Sequence, residues 1–140
     1  MSAAGAGEPE RPYRRAHFSE VPTFASDLVE AEWKPVRHHF GVSAFGTNAY
    51  VARGEGELLI EEHAEGDGGH EELYVVLDGE ARFTVDGESF AAPAGTLVFV
   101  PPPLGRAAVA AKAGTAVLAV GAIPGAAFEV SRWEAARTVG

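Results

Sequence analysis

The chain has 140 residues, enough for one hydrophobic core, and its 46% hydrophobic and 22% charged content excludes both a disordered polymer and a charge-dominated coiled coil. Twenty acidic residues against 11 basic ones leave a net charge of −9, a field that repels phosphate backbones and argues against nucleic acid as a partner. With no cysteine there is no disulfide, thiolate ligand or cysteine nucleophile, and no apolar run is long enough for a membrane helix, so the chain reads as a cytoplasmic protein without a membrane partner.

Residues 1–17, rich in Ala, Gly, Pro and Arg, read as a flexible tail; Glu8, Pro9 and Pro12 stand where a signal peptide needs an apolar core. The basic groups Arg11, Arg14, Arg15 and His17, and then Arg37, His38 and His39, read as solvated surface. Residues 18–41 are expected to form an extension packed on the main body. In it, Ser26 or Asp27 caps a short helix running through Trp33 and stopped by Pro35.

From Val42 the pattern turns to strands. Val42–Val51, Glu57–Glu65, Glu72–Leu77 and Ala81–Val85 are followed by Glu88–Ala91, Thr96–Val100, Arg106–Ala111 and Thr115–Val120. Asp78-Gly79 reads as a hairpin turn, Asp86-Gly87 as a second, and Pro101-Pro102-Pro103 as a stop. Eight short strands with close turns predict an all-β single domain over residues 42–121, a barrel or sandwich. Residues 122–140 are a C-terminal extension in which 128–137 forms a short helix or an edge strand, with Trp133 buried against the barrel end. Phe83, Val85, Phe90, Leu97, Phe99, Val117 and Leu118 are assigned to packing. In Glu72-Leu73-Tyr74-Val75-Val76-Leu77 both parities are bulky, which predicts cover on both faces, the second from an apposed sheet or a second subunit; a homodimer is expected.

These elements resemble the cupin superfamily, small jelly-roll barrels, in a small cupin type-2-like form with incomplete metal-binding motifs. Glu72, six residues and Gly79 match the end of the first cupin motif, and Pro93-Ala94-Gly95 with Val98 to Pro103 match the opening of the second. The resemblance implies a metal held by a His-x-His pair, a glutamate and a later histidine. Here the pair falls on His63-Ala64-Glu65, or with shorter spacing on Glu65 and Asp67, and the later histidine falls at or beside Arg106. Arginine offers no lone pair to a metal. The resemblance therefore implies a cupin with an altered metal site, in which an internal Glu72–Arg106 pair supplies the positive charge, or Arg106 sits at the rim and receives an anionic ligand.

Strand geometry adds to this. Residues i and i+2 share a face about 6–7 Å apart, so Glu61, His63 and Glu65 look one way, and His70, Glu72, Tyr74 and Val76 share a face if their strand begins by His70. If both faces point inward, His63, Glu65, His70 and Glu72 converge as donors for Zn, Fe or Mn. The same residues around Gly66, Gly68 and Gly69 read equally as a wet acidic loop without a site. Glu72 is the more telling group, because a carboxylate in an apolar strand needs hydrogen bonds or a charge partner; Asn48 and Tyr50 share a parity that can line the same cavity.

Three functions compete, one of them a structural or interaction role through the sheet surface. The first is binding of a small polar or anionic molecule in the barrel by Glu72, Arg106, Tyr74, His63 and Asn48, with walls from Tyr74, Val76 and Phe99, without a full conventional metal site or any cofactor. The alternative is a metal-dependent oxygenase or isomerase using His63, His70 and Glu72 with a divalent ion. The sequence does not choose between binder and enzyme.

Overall fold

A computed structural model describes residues 12–139. A 3-10 turn at Phe18–Glu20 is followed by β1 (Glu32–Lys34), α1 (Val36–Phe40), β2 (Gly46–Val51), β3 (Leu58–His63), β4 (Glu71–Asp78) and β5 (Glu80–Val85). Then come β6 (Glu88–Pro93), β7 (Leu97–Val100), β8 (Arg106–Ala110), β9 (Ala116–Ala122) and α2 (Arg132–Arg137). The strands form two antiparallel sheets, ordered β1-β2-β9-β4-β7 and β3-β8-β5-β6. Tyr74, Val76 and Val117 of the first meet Leu59, Phe83 and Ala108 of the second in one buried core, with the Tyr74 and Phe83 rings 5.6 Å apart. This is the all-β jelly roll that the strand-and-turn pattern predicts.

Asp86-Gly87 makes the expected two-residue hairpin: Val85 pairs with Glu88, and Asp86 takes a positive φ of 52°. Asp78-Gly79 does something else. It joins β4 of one sheet to β5 of the other, so it is a corner rather than a hairpin. Gly79 is required there: its φ is +71°, and a Cβ would lie 2.5 Å from the Thr115 hydroxyl. Thr115 Oγ1 donates at this corner and accepts from the Glu80 N–H at 3.2 Å. A dipeptide with hairpin chemistry is thus spent on turning the chain between layers.

The N-terminal extension also departs from expectation. The helix through Trp33 is absent, and Glu32–Lys34 is instead a strand paired with β2, Trp33 opposite Tyr50. Trp33 is buried, and Lys34, immediately before Pro35, is held extended as a residue before proline prefers. Pro35 opens a helix rather than ending one, standing at the N-cap of α1. The burial of Trp33 against β2 outweighs the weak capping signal at Ser26 and Asp27. Of the expected tail, residues 1–11, including Arg11, lie outside the described residues, while His17 caps the 3-10 turn.

Two packing assignments fail by parity. In β7, Val98 and Val100 face the core, so Leu97 and Phe99 point out and are 64% and 56% exposed. Phe99 is therefore not a cavity wall. On β4, Glu72, Tyr74 and Val76 face in, while Leu73, opposite Phe99, and Leu77 stand exposed; among the described residues nothing buries them.

Candidate functional site

A cavity of about 270 Å³ lies between β2, β4 and β9 on one side and β3 on the other, closed further by the N-terminal extension and α2. Strand parity selects its lining: Asn48 and Tyr50 from β2, Glu61 and His63 from β3, Glu72 and Tyr74 from β4, and Ala119 and Gly121 from β9. Glu72 pairs in register with Gly121. A Cβ on residue 121 would stand 3.0 Å from Glu72 Cγ and 2.7 Å from the Glu71 carbonyl oxygen, so glycine at 121 makes the room that lets the carboxylate lie inward.

The Glu72 carboxylate is partnered, as burial demands. Arg106 Nη1 donates to Glu72 Oε1 at 2.6 Å and the Tyr74 hydroxyl donates to the same oxygen at 2.5 Å. The β3–β8 register sets Arg106 opposite His63. The proline run ends β7 because proline has no N–H for a ladder, and the carbonyls of the loop that follows accept from the guanidinium: Leu104 from Nε at 3.1 Å and Pro101 from Nη2 at 3.0 Å. The Arg106 side chain is fully buried. The rim reading of Arg106, a free fork awaiting an anion, is thereby overturned: both faces of the fork are spent on the protein.

Beside this pair, His63 Nδ1 donates to the Glu61 carbonyl at 2.8 Å, and Nε2 lies 3.0 Å from Glu65 Oε2 and 3.8 Å from Glu72 Oε1. Hydrogen bonds from Glu65 first and Glu72 second, opposed in part by burial, raise the His63 pKa from 6.5 to about 10. The same contact with His63 holds the Glu65 pKa below the usual carboxylate range. At neutral pH the group is an imidazolium between two carboxylates. Burial, then the charge of Glu72, pushes the Tyr74 phenol well above its ordinary range, so it acts as a hydrogen-bond donor.

His63, Glu65 and Glu72 present donor atoms within 4.8 Å of one another, and among the described residues no other such group occurs. His70 is not in it. That residue precedes β4, which begins at Glu71, and it lines the cavity with its ring 6.0 Å from Phe128. The expected His63–His70–Glu72 triad is thus not brought together, because the loop containing Gly66, Gly68 and Gly69 ends before the strand parity that would aim His70 takes hold. The remaining donor set does not fit a conventional cupin metal centre. Its fourth position holds a buried guanidinium, the inner oxygen of Glu72 already accepts two hydrogen bonds, and His63 Nε2 has its proton stabilised by Glu65.

The aromatic part of the lining was less legible in the sequence. Trp33 and Trp133 meet at 4.6 Å between ring centroids, with Tyr50 and Phe128 nearby in the lining. Trp33 Nε1 donates to Asn48 Oδ1 at 2.9 Å, which commits the oxygen of Asn48 to the wall. Glu134 of α2 also lines the cavity and binds Arg37 Nε at 2.7 Å. Ninety-seven residues separate those two partners, and no local pattern announces the pair.

No protein-family model matches the sequence, and no curated protein matches it. Solved structures do. A predicted oxalate decarboxylase from Thermotoga maritima superposes with a TM-score of 0.63 at 18% identity, covering 79% of this chain and 99% of that one. A sugar phosphate isomerase from the cupin superfamily of Silicibacter pomeroyi gives 0.63 at 15% identity, covering 77% and 74%. A cupin protein from Bacteroides fragilis gives 0.56 at 18%, covering 87% and 93%. Two facing antiparallel sheets that superpose on structures of that type establish that the chain has the cupin fold.

Proposed function

We propose that this protein binds a small polar molecule inside its barrel without a full conventional metal site. The observation that carries this is the 270 Å³ cavity itself, lined both by aromatic rings and by the hydrogen-bonded group His63, Glu65, Glu72 and Tyr74. Glu72 and Tyr74 are pre-oriented by Arg106, so a ligand meets fixed polar atoms and little side-chain ordering is lost on binding. Lack of cysteine suits a cytoplasmic setting.

The test is a thermal-shift and tryptophan-fluorescence screen with small polyols, amines, sugars and acids, repeated on Ala119→Phe, which fills the cavity from β9. At least one compound is expected to bind the parent chain and to lose binding in the variant. No binder at about 10 mM, or binding indifferent to the filled cavity, overturns the reading.

The competing reading, a divalent ion such as Fe, Mn or Zn on His63, Glu65 and Glu72, is favoured by the closeness of the three donors. Elemental analysis of untagged protein decides it: stoichiometric metal lost in His63→Gln supports the metal enzyme, and absence of metal with no activity gained on adding iron or manganese removes it. Assembly is proposed separately. The exposed Leu73, Leu77, Leu97 and Phe99 form an apolar patch on the outer sheet face that suits a homodimer.

A further inference from the structure

The last part of the chain to line the cavity is attached differently from the rest. After β9 ends at Ala122, residues 123–139 contribute Phe128, Ser131, Trp133 and Glu134 to the lining. Among the described residues, the backbone hydrogen bonds of this stretch are internal to it: Ala126 N–H to the Ile123 carbonyl at 3.2 Å, then Ala135 to Ser131 and Thr138 to Glu134, both at 3.0 Å. None reaches a sheet, so side chains alone fasten the stretch to the barrel. It begins with a turn closed by the Ala126 hydrogen bond, with Pro124 and then Gly125, at φ +74°, in the two central positions. Residues 124–127 are exposed, and a Cβ on Gly125 would meet nothing within 4 Å, so no packing opposes rotation there.

The far end is fastened by a charge. Of residues 123–139, Glu134 alone is buried, at 6% exposure, and it docks on Arg37, whose guanidinium also donates to the Val42 carbonyl at 2.9 Å. Trp133 packs on Trp33, and Phe128 lies on the bare face of Gly46, where a Cβ would come within 3.2 Å of its ring. Both aromatic side chains are only partly buried. A helix docked for good buries an apolar stripe. A buried ion pair instead sets register, because its desolvation cost offsets much of its attraction, and separation into water rehydrates both charges.

We infer that residues 123–139 form a strap that swings on Pro124-Gly125 as one body, with Glu134–Arg37 as its latch, and so opens and closes the cavity. The helix α2 moves intact because its ties are its own: Ser131 Oγ accepts from the Glu134 N–H, and the Arg137 guanidinium lies 4.3 Å over the Trp133 ring. The contact of Arg137 with the exposed Asp27 adds little to the latch. Opening lifts Trp133 off Trp33, which is 1% exposed when the strap is closed and donates its indole N–H to Asn48 Oδ1 at 2.9 Å. Strap motion is a property of the free chain, so it is measured without a ligand and stands or falls apart from the cavity-binding reading.

The test is native-state hydrogen exchange on the full chain, followed by NMR at the Trp33 indole N–H, the Ala135 amide and the amides of β9. The Trp33 indole is expected to exchange together with Ala135, through openings at least about tenfold more populated than those that free β9. Arg37→Gln, which leaves Glu134 without its charge partner, is expected to raise exchange at both positions by about tenfold or more while β9 is unchanged. Fraying of a short helix frees Ala135 alone and leaves Trp33 covered. If the Trp33 indole exchanges only with β9, in the parent chain and in Arg37→Gln alike, the strap does not swing and the inference is overturned. A β9 rate that rises in step with the other two in Arg37→Gln overturns it as well, since the pair then belongs to the global fold. The compound screen with Ala119→Phe judges the cavity reading independently of either result.

Discussion

Arg106 and Glu72 form a buried pair whose parts are expensive to separate. Truncating one partner leaves the other charge desolvated, and such losses run to about 3–5 kcal/mol. Arg106→Ala is therefore expected to lower the unfolding free energy by that order in urea denaturation, whereas the double substitution Arg106→Met with Glu72→Met recovers most of the loss. A single-variant cost below about 1 kcal/mol contradicts the pairing shown by the 2.6 Å contact. His63 makes a pH-dependent contribution. Its folded pKa of about 10 exceeds the ordinary 6.5, so its stabilisation is full below pH 6.5 and is lost as pH rises through 10. Glu65 has the opposite sign: its lowered pKa adds stability above its ordinary 4.5 that is lost as pH falls. Chemical denaturation across pH is expected to show alkaline loss between 6.5 and 10 that shrinks in His63→Gln, and a ring titration near 6.5 contradicts it.

The elements position these residues by register. β9 gives Glu72 its space at Gly121, and β8 sets Arg106 opposite His63. Gly121→Val is expected to cost about 1–3 kcal/mol by overpacking and to push the Glu72 carboxylate off Arg106. Loss of ligand binding in that variant, with far-UV circular dichroism unchanged, is the measurement that ties the register to the site. Two extensions complete the wall: Arg137 Nη2 reaches Asp27 at 3.2 Å, and Glu134 reaches Arg37, so α2 is tied to segments that precede the barrel. The Asp27 end of the first contact is well exposed, and the packing of Trp133 on the buried Trp33 and the Glu134–Arg37 contact hold α2 more firmly.

At the scale of the whole molecule, the outer face of β4 and β7 sets the expected assembly. Leu97→Asp together with Phe99→Asp adds charge to a surface away from the core, so folding is expected to survive within about 0.5 kcal/mol per site. Sedimentation at micromolar concentration is expected to show a dimer for the parent chain and a monomer for the double variant. A monomeric parent removes the homodimer. Among the described residues no helix is long and apolar enough to cross a membrane.

Local chemistry fixed the strand-and-turn class, most strand positions, the Asp86-Gly87 hairpin and the inward aim of Glu72, because alternation, glycine and proline act within a few residues of themselves. It could not decide which sheet a strand joins. Asp78-Gly79 has the same chemistry as a hairpin, and only the layer crossing to β5 makes it a corner. Trp33 became a strand residue through burial against β2, and Leu97 and Phe99 became surface because their neighbours Val98 and Val100 took the core. The pairing of Glu134 with Arg37 and the separation of His70 from His63 are long-range facts of three-dimensional placement. Side-chain periodicity is a property of the chain, but which charges meet in a cavity is set by the packing of segments far apart in sequence.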